Sequence, residues 1–193
     1  MSGPSGRGAR PGAVRIVGGR WRGSKLPVAE RPGTRPTPDR VRETLFNWLG
    51  QDLSGWRVLD AFAGSGALGF EAASRGAAEV VLLERDAALC RALQAACRRL
   101  WAQAVRIECG DAIAWMASAG RARPAALDLV LLDPPFDAGL LAPALAAALP
   151  LLADGGWIYV ESGEPLVALP RAIEVHRGLR AGAVHALLLR RCG

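Results

Sequence analysis

One stretch constrains this chain more than any other: Val58-Leu-Asp-Ala-Phe-Ala-Gly-Ser-Gly-Ala-Leu-Gly69. An apolar run from Trp56 to Leu59 ends in an acid, Asp60. Gly64 and Gly66 follow, and then an Ala/Leu/Phe-rich helical pattern. That order describes a buried parallel strand, a tight glycine turn and a helix N-terminus. With no Cβ in the way, backbone N–H groups in such a turn can approach a ligand closely.

The remainder is arranged around this unit. Strand patterns at 56–61, 80–84, 105–109, 127–132 and 156–161 alternate with helical patterns at 67–75, 86–103, 111–119 and 140–151. Strands separated by helices give a parallel sheet covered on both faces. The runs 172–177 and 184–190 are joined by the short Arg177-Gly-Leu-Arg-Ala-Gly182 and read as an antiparallel hairpin. The expected fold is therefore α/β, with a seven-stranded, mostly parallel, Rossmann-like sheet and a terminal antiparallel hairpin. A chain of 193 residues holds one such domain plus an appendage.

The ends of the predicted strands carry chemistry. Gly64-Ser-Gly66-Ala-Leu-Gly69 fits G-x-G-x-x-G, the spacing of a turn that cradles a nucleotide cofactor. Glu84 closes the next strand, where an acid accepts hydrogen bonds from ribose hydroxyls. Asp111, after the third strand, can accept from an amine such as adenine N6, cap the following helix, or do both. Asp60 suits a cationic amino-acid group and repels a pyrophosphate. That favours S-adenosylmethionine over a nicotinamide dinucleotide.

The fourth strand ends in Asp133-Pro-Pro-Phe136. Two prolines make a stiff loop without backbone donors. The Asp133 carboxylate and the Pro134 carbonyl remain as acceptors, and Phe136 offers a flat apolar face. Such a loop can grip a planar base that bears an NH2 group, with one acceptor for each amine hydrogen. This pairing favours a pyramidal amine and frees its lone pair. A proline-rich loop with a buried phenylalanine has the same letters without that role.

Net positive charge is confined to the amino-terminal quarter. Residues 1–50 hold ten Arg/Lys and three Asp/Glu, whereas 51–193 hold fourteen and fifteen. A polyanionic partner fits this asymmetry; so does a solvated arginine-rich tail, since Lys25 is the sole lysine. Residues 1–12 are Gly/Pro/Ser/Arg-rich and expected to be disordered. Val14–Val17 and Leu26–Val28 read as strands around Gly18-Gly19 and Arg20-Trp-Arg-Gly-Ser-Lys25. Trp21 among cations suits base stacking, and it equally suits packing on the domain. Pro36 and Pro38 then keep the approach to a helix extended, with Thr37 as cap and Pro38 at the first helical position. That helix places Val41, Leu45, Trp48 and Leu49 on one face and Arg40, Glu43 and Asn47 on another. The organisation expected is a tail (1–12), a basic arm with its helix (13–53) and a catalytic domain (54–193).

Other classes are disfavoured. Cys90, Cys97, Cys109 and Cys192 lack CxxC spacing and nearby histidines, so they read as small hydrophobes or free thiols of a reducing cytosol, with no metal. His176 and His185 lie late, in predicted strands. No uncharged apolar run reaches about 18 residues, so no membrane span is expected. The start of the chain lacks the apolar segment of a signal peptide. A cytoplasmic protein is expected.

Asp133-Pro-Pro-Phe136 resembles the (Asp/Asn)-Pro-Pro-aromatic motif of amino-methyltransferases. With the glycine turn it implies a class I S-adenosylmethionine-dependent enzyme. Arg15-Ile-Val-Gly-Gly-Arg-Trp-Arg-Gly-Ser-Lys-Leu-Pro27, Arg35-Pro-Thr-Pro-Asp-Arg-Val-Arg-Glu-Thr-Leu-Phe-Asn-Trp-Leu49 and Phe62-Ala-Gly-Ser-Gly-Ala-Leu-Gly69 extend the likeness. Together they resemble the bacterial 16S rRNA guanine-N2 methyltransferase family, RsmD-type, from about residue 14 to the C-terminus. Ala186 stands where that family usually has a tyrosine, a strand-packing change. The resemblance implies methyl transfer to guanine N2 in 16S rRNA, naked or in an assembling small subunit; a sulfonium carries its own leaving group, so no metal is expected, and a monomer is expected. The likeness implies Asp133, Pro134, Pro135 and Phe136 as the catalytic loop. Around the cofactor it implies Asp60, Phe62, Ala63, Gly64, Ser65, Gly66, Glu84, Asp111, Ala112 and Asp133. On the RNA it implies Arg15, Arg20, Trp21, Arg22, Lys25, Arg35 and Arg40. The competing readings are a DNA adenine-N6 or cytosine-N4 methyltransferase, a nicotinamide-dependent dehydrogenase and a non-catalytic RNA-binding module.

Overall fold

The computed structural model describes residues 12–28, 38–122, 124–166 and 168–192. The tail expected to be disordered (residues 1–11 of it), Arg35 and Thr37 lie outside them. Two short strands, β1 (Ala13–Arg15) and β2 (Lys25–Pro27), pair as an antiparallel hairpin and lead to α1 (Asp39–Trp48). The chain then alternates through β3 (Arg57–Asp60), α2 (Ala67–Ser74), β4 (Glu79–Glu84), α3 (Ala87–Leu100), β5 (Val105–Cys109), α4 (Ala112–Ala122), β6 (Leu127–Leu132) and α5 (Leu141–Ala148). It finishes with β7 (Leu152–Ser162), β8 (Ile173–Ala181) and β9 (Val184–Arg191).

The sheet runs β5-β4-β3-β6-β7-β9-β8. Its first five strands pair in parallel, while β9 joins antiparallel to β7 and β8. Val80 to Leu83 are all buried, as expected of a parallel strand covered on both faces. One face packs under the hairpin, α1, α2 and α3, with Ile16, Leu26, Phe46, Phe70 and Leu93 in a common core with Val58 and Leu82. The other packs under α4 and α5 through Met116, Leu145 and Ala148. Strand order reverses between β3 and β6, and the crevice opened at their carboxyl ends is where such sheets bind ligands.

The hairpin is fastened down. Arg20 N–H donates to the Ser74 carbonyl (2.7 Å), Trp21 N–H to Ser74 Oγ (2.8 Å) and Val17 N–H to Glu71 Oε2 (2.8 Å). Gly19 has φ +69°, and a Cβ there would lie 1.9 Å from the Ser74 carbonyl oxygen, so only glycine closes this contact.

Some boundaries differ from the sequence pattern. Pro38 sits at the N-cap and α1 begins at Asp39, one residue later than expected. The buried face of α1 is Val41, Arg42, Leu45 and Phe46, with Trp48 only half-buried. β7 begins at Leu152 rather than 156: Leu152 pairs with Leu127 and Trp157 with Leu129, so residues 153–156, with Gly155 at φ +72°, bulge out between two paired positions. The pattern at 140–151 ends as helix at Ala148 and tightens to a 3₁₀ turn at Leu149–Leu151, where Pro150 has no N–H to continue it. Ala186 is fully buried on β9 opposite Glu161.

The cysteine reading needs correction. Cys90 and Cys109 are joined by a disulfide; Cys97 and Cys192 are free. Pairing of β4 with β5 brings the end of β5 beside the first turn of α3, with Cα atoms 6.1 Å apart. A separation of 19 residues with no CxxC gives the sequence no sign of it.

Candidate active site

Asp60 ends β3 pointing into the core, 1% exposed. Its Oδ2 accepts from Gly69 N–H (2.9 Å), which ties the strand to the first turn of α2. Its Oδ1 makes no hydrogen bond of ordinary geometry among the described residues. Burial pushes the Asp60 pKa up to about 7; the Gly69 and Phe62 N–H groups oppose this, and the charges of Glu84 and Glu161 add to it. A buried carboxylate with an unsatisfied oxygen is expensive unless a donor completes it.

The glycine turn gives that donor its room. A Cβ on Gly66 (φ +78°) would press on Leu93 and Phe70 at 2.7 Å, so this glycine lets α2 seat against α3. A Cβ on Gly64 (φ +52°) would meet only the Phe62 carbonyl oxygen, at 4.0 Å, so open space lies above it. Ala63 is buried and donates to the Leu83 carbonyl (2.9 Å), while Phe62 and Ser65 are half-buried. A buried acid with one oxygen short of a well-formed hydrogen bond, beside an open turn, fits a ligand with a cationic head.

Glu84 has a task that sequence reasoning missed. Its Oε2 accepts from Gly64 N–H (3.0 Å) and its Oε1 from Asp86 N–H (2.8 Å), so it shapes the turn from the neighbouring strand. Each oxygen keeps a second lone pair for a hydroxyl donor. Asp111 caps α4 by accepting from Ala114 N–H (2.8 Å) and is exposed, with Ala112 buried behind it.

The β6 loop completes the crevice. The registers Asp60–Leu131 and Leu131–Tyr159 put Asp133 and Glu161 two residues past Asp60, on the same sheet face. With strands about 4.8 Å apart and a rise of about 3.3 Å per residue, the Asp60 and Asp133 backbones stand about 8 Å apart. Pro134 is buried and Pro135 exposed. The Pro135 carbonyl accepts from Ala138 N–H (3.2 Å), whereas no donor among the described residues takes the Pro134 carbonyl. Phe136 is 47% exposed, a large apolar ring turned to solvent at the mouth. Gly163 makes its place, since a Cβ there would lie 3.2 Å from the ring. Glu161, 2% exposed, and Tyr159, fully buried, were not singled out in the sequence, where both read as ordinary strand residues.

The model of the family described as Conserved hypothetical protein 95 matches residues 14–190, spanning the hairpin, the glycine turn and the Asp133 loop together. The chain belongs to this family, the RsmD-type methyltransferases. Ribosomal RNA small subunit methyltransferase D of Escherichia coli is 44% identical over 188 residues, covering 93% of this chain and 91% of that protein. The Haemophilus influenzae protein of the same name is 40% identical over 164 residues, covering 81% and 83%. The solved Escherichia coli methyltransferase-type protein yhhF superposes with a TM-score of 0.82 at 43% identity, covering 94% of this chain and 99% of that one. RsmD-type membership accounts for the acceptor loop and the hairpin at once, which a dehydrogenase does not.

Of the basic residues, Arg15, Arg20, Arg22, Lys25 and Arg40 are exposed, and Trp21 is half-buried edge-on to Phe70 with centroids 6.5 Å apart. Trp21 thus packs on the domain. Trp101, at the end of α3, is 77% exposed beside exposed Arg98 and Arg99, and Arg99 reaches the Lys25 carbonyl (2.5 Å). Between the hairpin turn and α1 lies a cleft of about 460 Å³, lined by Gly18, Arg22, Glu43, Asn47 and Arg75 among others. Among the described residues no group of acids, cysteines and histidines could hold a metal, and no helix is long and apolar enough to cross a membrane.

Proposed function

We propose that this RsmD-type enzyme transfers a methyl group from S-adenosylmethionine to the exocyclic N2 of a guanine in 16S rRNA. It acts in the cytoplasm, as a monomer, on free rRNA or an assembling small subunit. The observation that carries the reading is that Asp133-Pro-Pro-Phe136, with its exposed Phe136, follows the strand paired to the one that ends in the buried, incompletely hydrogen-bonded Asp60 carboxylate. The names of the curated relatives support rRNA as substrate.

When bound, S-adenosylmethionine supplies an electrophilic methyl group that carries its own leaving group. Asp60 receives the ammonium, and the turn Phe62-Ala63-Gly64-Ser65-Gly66 leaves room for the methionine portion. Glu84 takes the ribose hydroxyls; Asp111 and Ala112 flank the adenine. On the other side, Asp133 and Pro134 accept the two hydrogens of the amine and aim its lone pair. Pro135 stiffens the loop, and Phe136 stacks on the extruded base. Most of the rate gain then comes from alignment, which can reach about 7–11 kcal/mol. The proton released afterwards passes to Asp133 or to solvent. Incubating rRNA and DNA with labelled cofactor and identifying the modified nucleoside tests this. N2-methylguanosine is expected, and N6-methyladenine or N4-methylcytosine would move the enzyme to another substrate.

The arm, residues 13–53, is the RNA-facing part, with Arg15, Arg20, Arg22, Lys25, Arg35 and Arg40 meeting phosphates; Trp21 holds the hairpin rather than a base. Replacing Arg20 and Arg22 together by alanine should weaken RNA binding and make its log–log salt slope shallower by about two. An unchanged slope, by filter binding, would place the footprint elsewhere. Gly163→Val should push Phe136 off its site. The KM for RNA then rises about tenfold with cofactor affinity unchanged, and a normal KM would remove Phe136 from base binding.

A further inference from the structure

Trp101 is the most exposed of the large apolar side chains among the described residues, whereas the other five tryptophans are half-buried. Its place in the fold does not call for a ring. Trp101 is the C-cap of α3 in the left-handed conformation (φ +53°), which lets the Ala102 N–H reach the Cys97 carbonyl (3.0 Å) and stop the helix. Glycine or asparagine takes that conformation at lower cost. Neither helix termination nor packing accounts for the indole.

Its surroundings are cationic. α3 carries Arg91, Arg98 and Arg99 and no acid, within a region (51–193) where acids outnumber bases. Residues 13–28, the hairpin, carry Arg15, Arg20, Arg22 and Lys25 and likewise no acid. All seven are exposed. The two elements meet: Arg99 donates to the Lys25 carbonyl (2.5 Å), Lys25 stands opposite Arg15 in the β1–β2 ladder, and the Arg15 carbonyl accepts from Arg42 of α1 (2.5 Å). The positive surface therefore runs from the end of α3 across the hairpin to α1. Of the acids at that end of the sheet, Asp52 bonds Ser54, Asp128 pairs with Arg57 (3.5 Å) and Glu79 stands opposite Arg57 in register. Arg98 has no ion pair among the described residues. Cations in a last helical turn also complement the helix dipole, but that explains the arginines and not the indole beside them.

We propose that Trp101, Arg98 and Lys25 form a landing site for an unpaired nucleotide of the RNA, outside the catalytic crevice. The indole stacks on the base, and the two cations meet the flanking phosphates; Arg99 fastens the hairpin to the site. Stacking of this kind tolerates any base, because every base has a π-face. α3 has 14 residues and spans about 21 Å, so the site lies a helix length from Glu84 and binds a nucleotide other than the one that Phe136 receives. The role rests on the RNA-methyltransferase reading and deepens it.

Trp101→Gly, Trp101→Phe and Arg98→Ala in the full chain test this. The probes are a dye-labelled, pyrimidine-only RNA single strand and the blunt duplex that it forms with its complement, read by fluorescence anisotropy. Trp101→Gly should melt no lower than wild type, since glycine suits the left-handed position. It should bind the single strand about tenfold more weakly and the duplex normally, while Trp101→Phe stays within about threefold of wild type on both. Arg98→Ala should make the single-strand log–log salt slope shallower by about 0.7, and Trp101→Gly should leave that slope unchanged. Wild-type affinity of Trp101→Gly for the single strand, or an equal loss on the duplex, would overturn the proposal. A loss confined to assembled small subunits, with both RNA probes bound normally, would give the indole to a protein and overturn it too. Should Trp101→Gly melt lower, Trp101→Leu decides, because it keeps an apolar side chain without an aromatic face: a tenfold loss on the single strand alone supports the site, and wild-type affinity overturns it. A wild-type protein that methylates no 16S rRNA, with the single-strand loss still present in Trp101→Gly, would remove the rRNA reading and leave the landing site standing.

Discussion

Asp133→Ala is expected to slow methyl transfer by about a hundredfold to a thousandfold and to leave S-adenosylmethionine binding within about threefold. The magnitude is that of removing one preorganised partner of a reacting group in a water-poor site. The direction follows from position. Asp133 lies about two residues beyond Asp60 along the neighbouring strand, so in the proposed arrangement it meets the amine rather than the ammonium. Asp133→Asn keeps one side-chain acceptor, so it should lose only about tenfold if orientation dominates over proton removal. Isothermal titration beside single-turnover kinetics separates these outcomes. Equal losses of binding and turnover in Asp133→Ala would return this residue to the cofactor pocket.

Asp60→Asn should have opposite effects on affinity and stability. Its carboxyl pKa is raised from 3.8 to about 7 by burial. The fold thus favours the neutral form. That stability is fully present below pH 3.8 and is lost as pH rises through about 7. Asparagine mimics the neutral form at every pH. The variant should match wild type near pH 4 and exceed it at pH 8, by up to about 4 kcal/mol if the whole shift is expressed. Cofactor affinity should move the other way, because the ammonium loses its counter-charge. In wild type, affinity should fall about tenfold per unit as pH drops below about 7; in Asp60→Asn it should be weak and flat. Melting curves and calorimetric titrations at pH 5, 6, 7 and 8 read both. A pH-independent wild-type affinity would mean that Asp60 does not face the ammonium.

The strand–turn–helix at 57–74 was legible because two local signals coincide there: a buried apolar run and glycines whose backbone angles or clearance no other residue allows. The β6 loop was legible because its prolines remove donors and leave named acceptors. Arg42 was not. A polar side chain at a helix position next to Val41 reads as solvent-facing, and only packing of the hairpin over α1 encloses it. Glu161 and Tyr159 were hidden for a related reason: register with β6, not sequence spacing, sets them beside Asp133. The Cys90–Cys109 bond likewise depends on β4–β5 pairing. Trp21 had two readings of equal weight, and its edge contact with Phe70 gives it to the core.

The most direct measurement uses small ribosomal subunits from cells lacking this gene, with naked 16S rRNA in parallel. Each is incubated with labelled S-adenosylmethionine and either wild-type protein or Asp133→Ala, then digested and read by mass spectrometry. N2-methylguanosine at one position with wild type, and about a hundredfold less or lower with Asp133→Ala, is the expected result. A different methylated nucleoside, or equal product from both proteins, would contradict an acceptor edge built from Asp133 and Pro134.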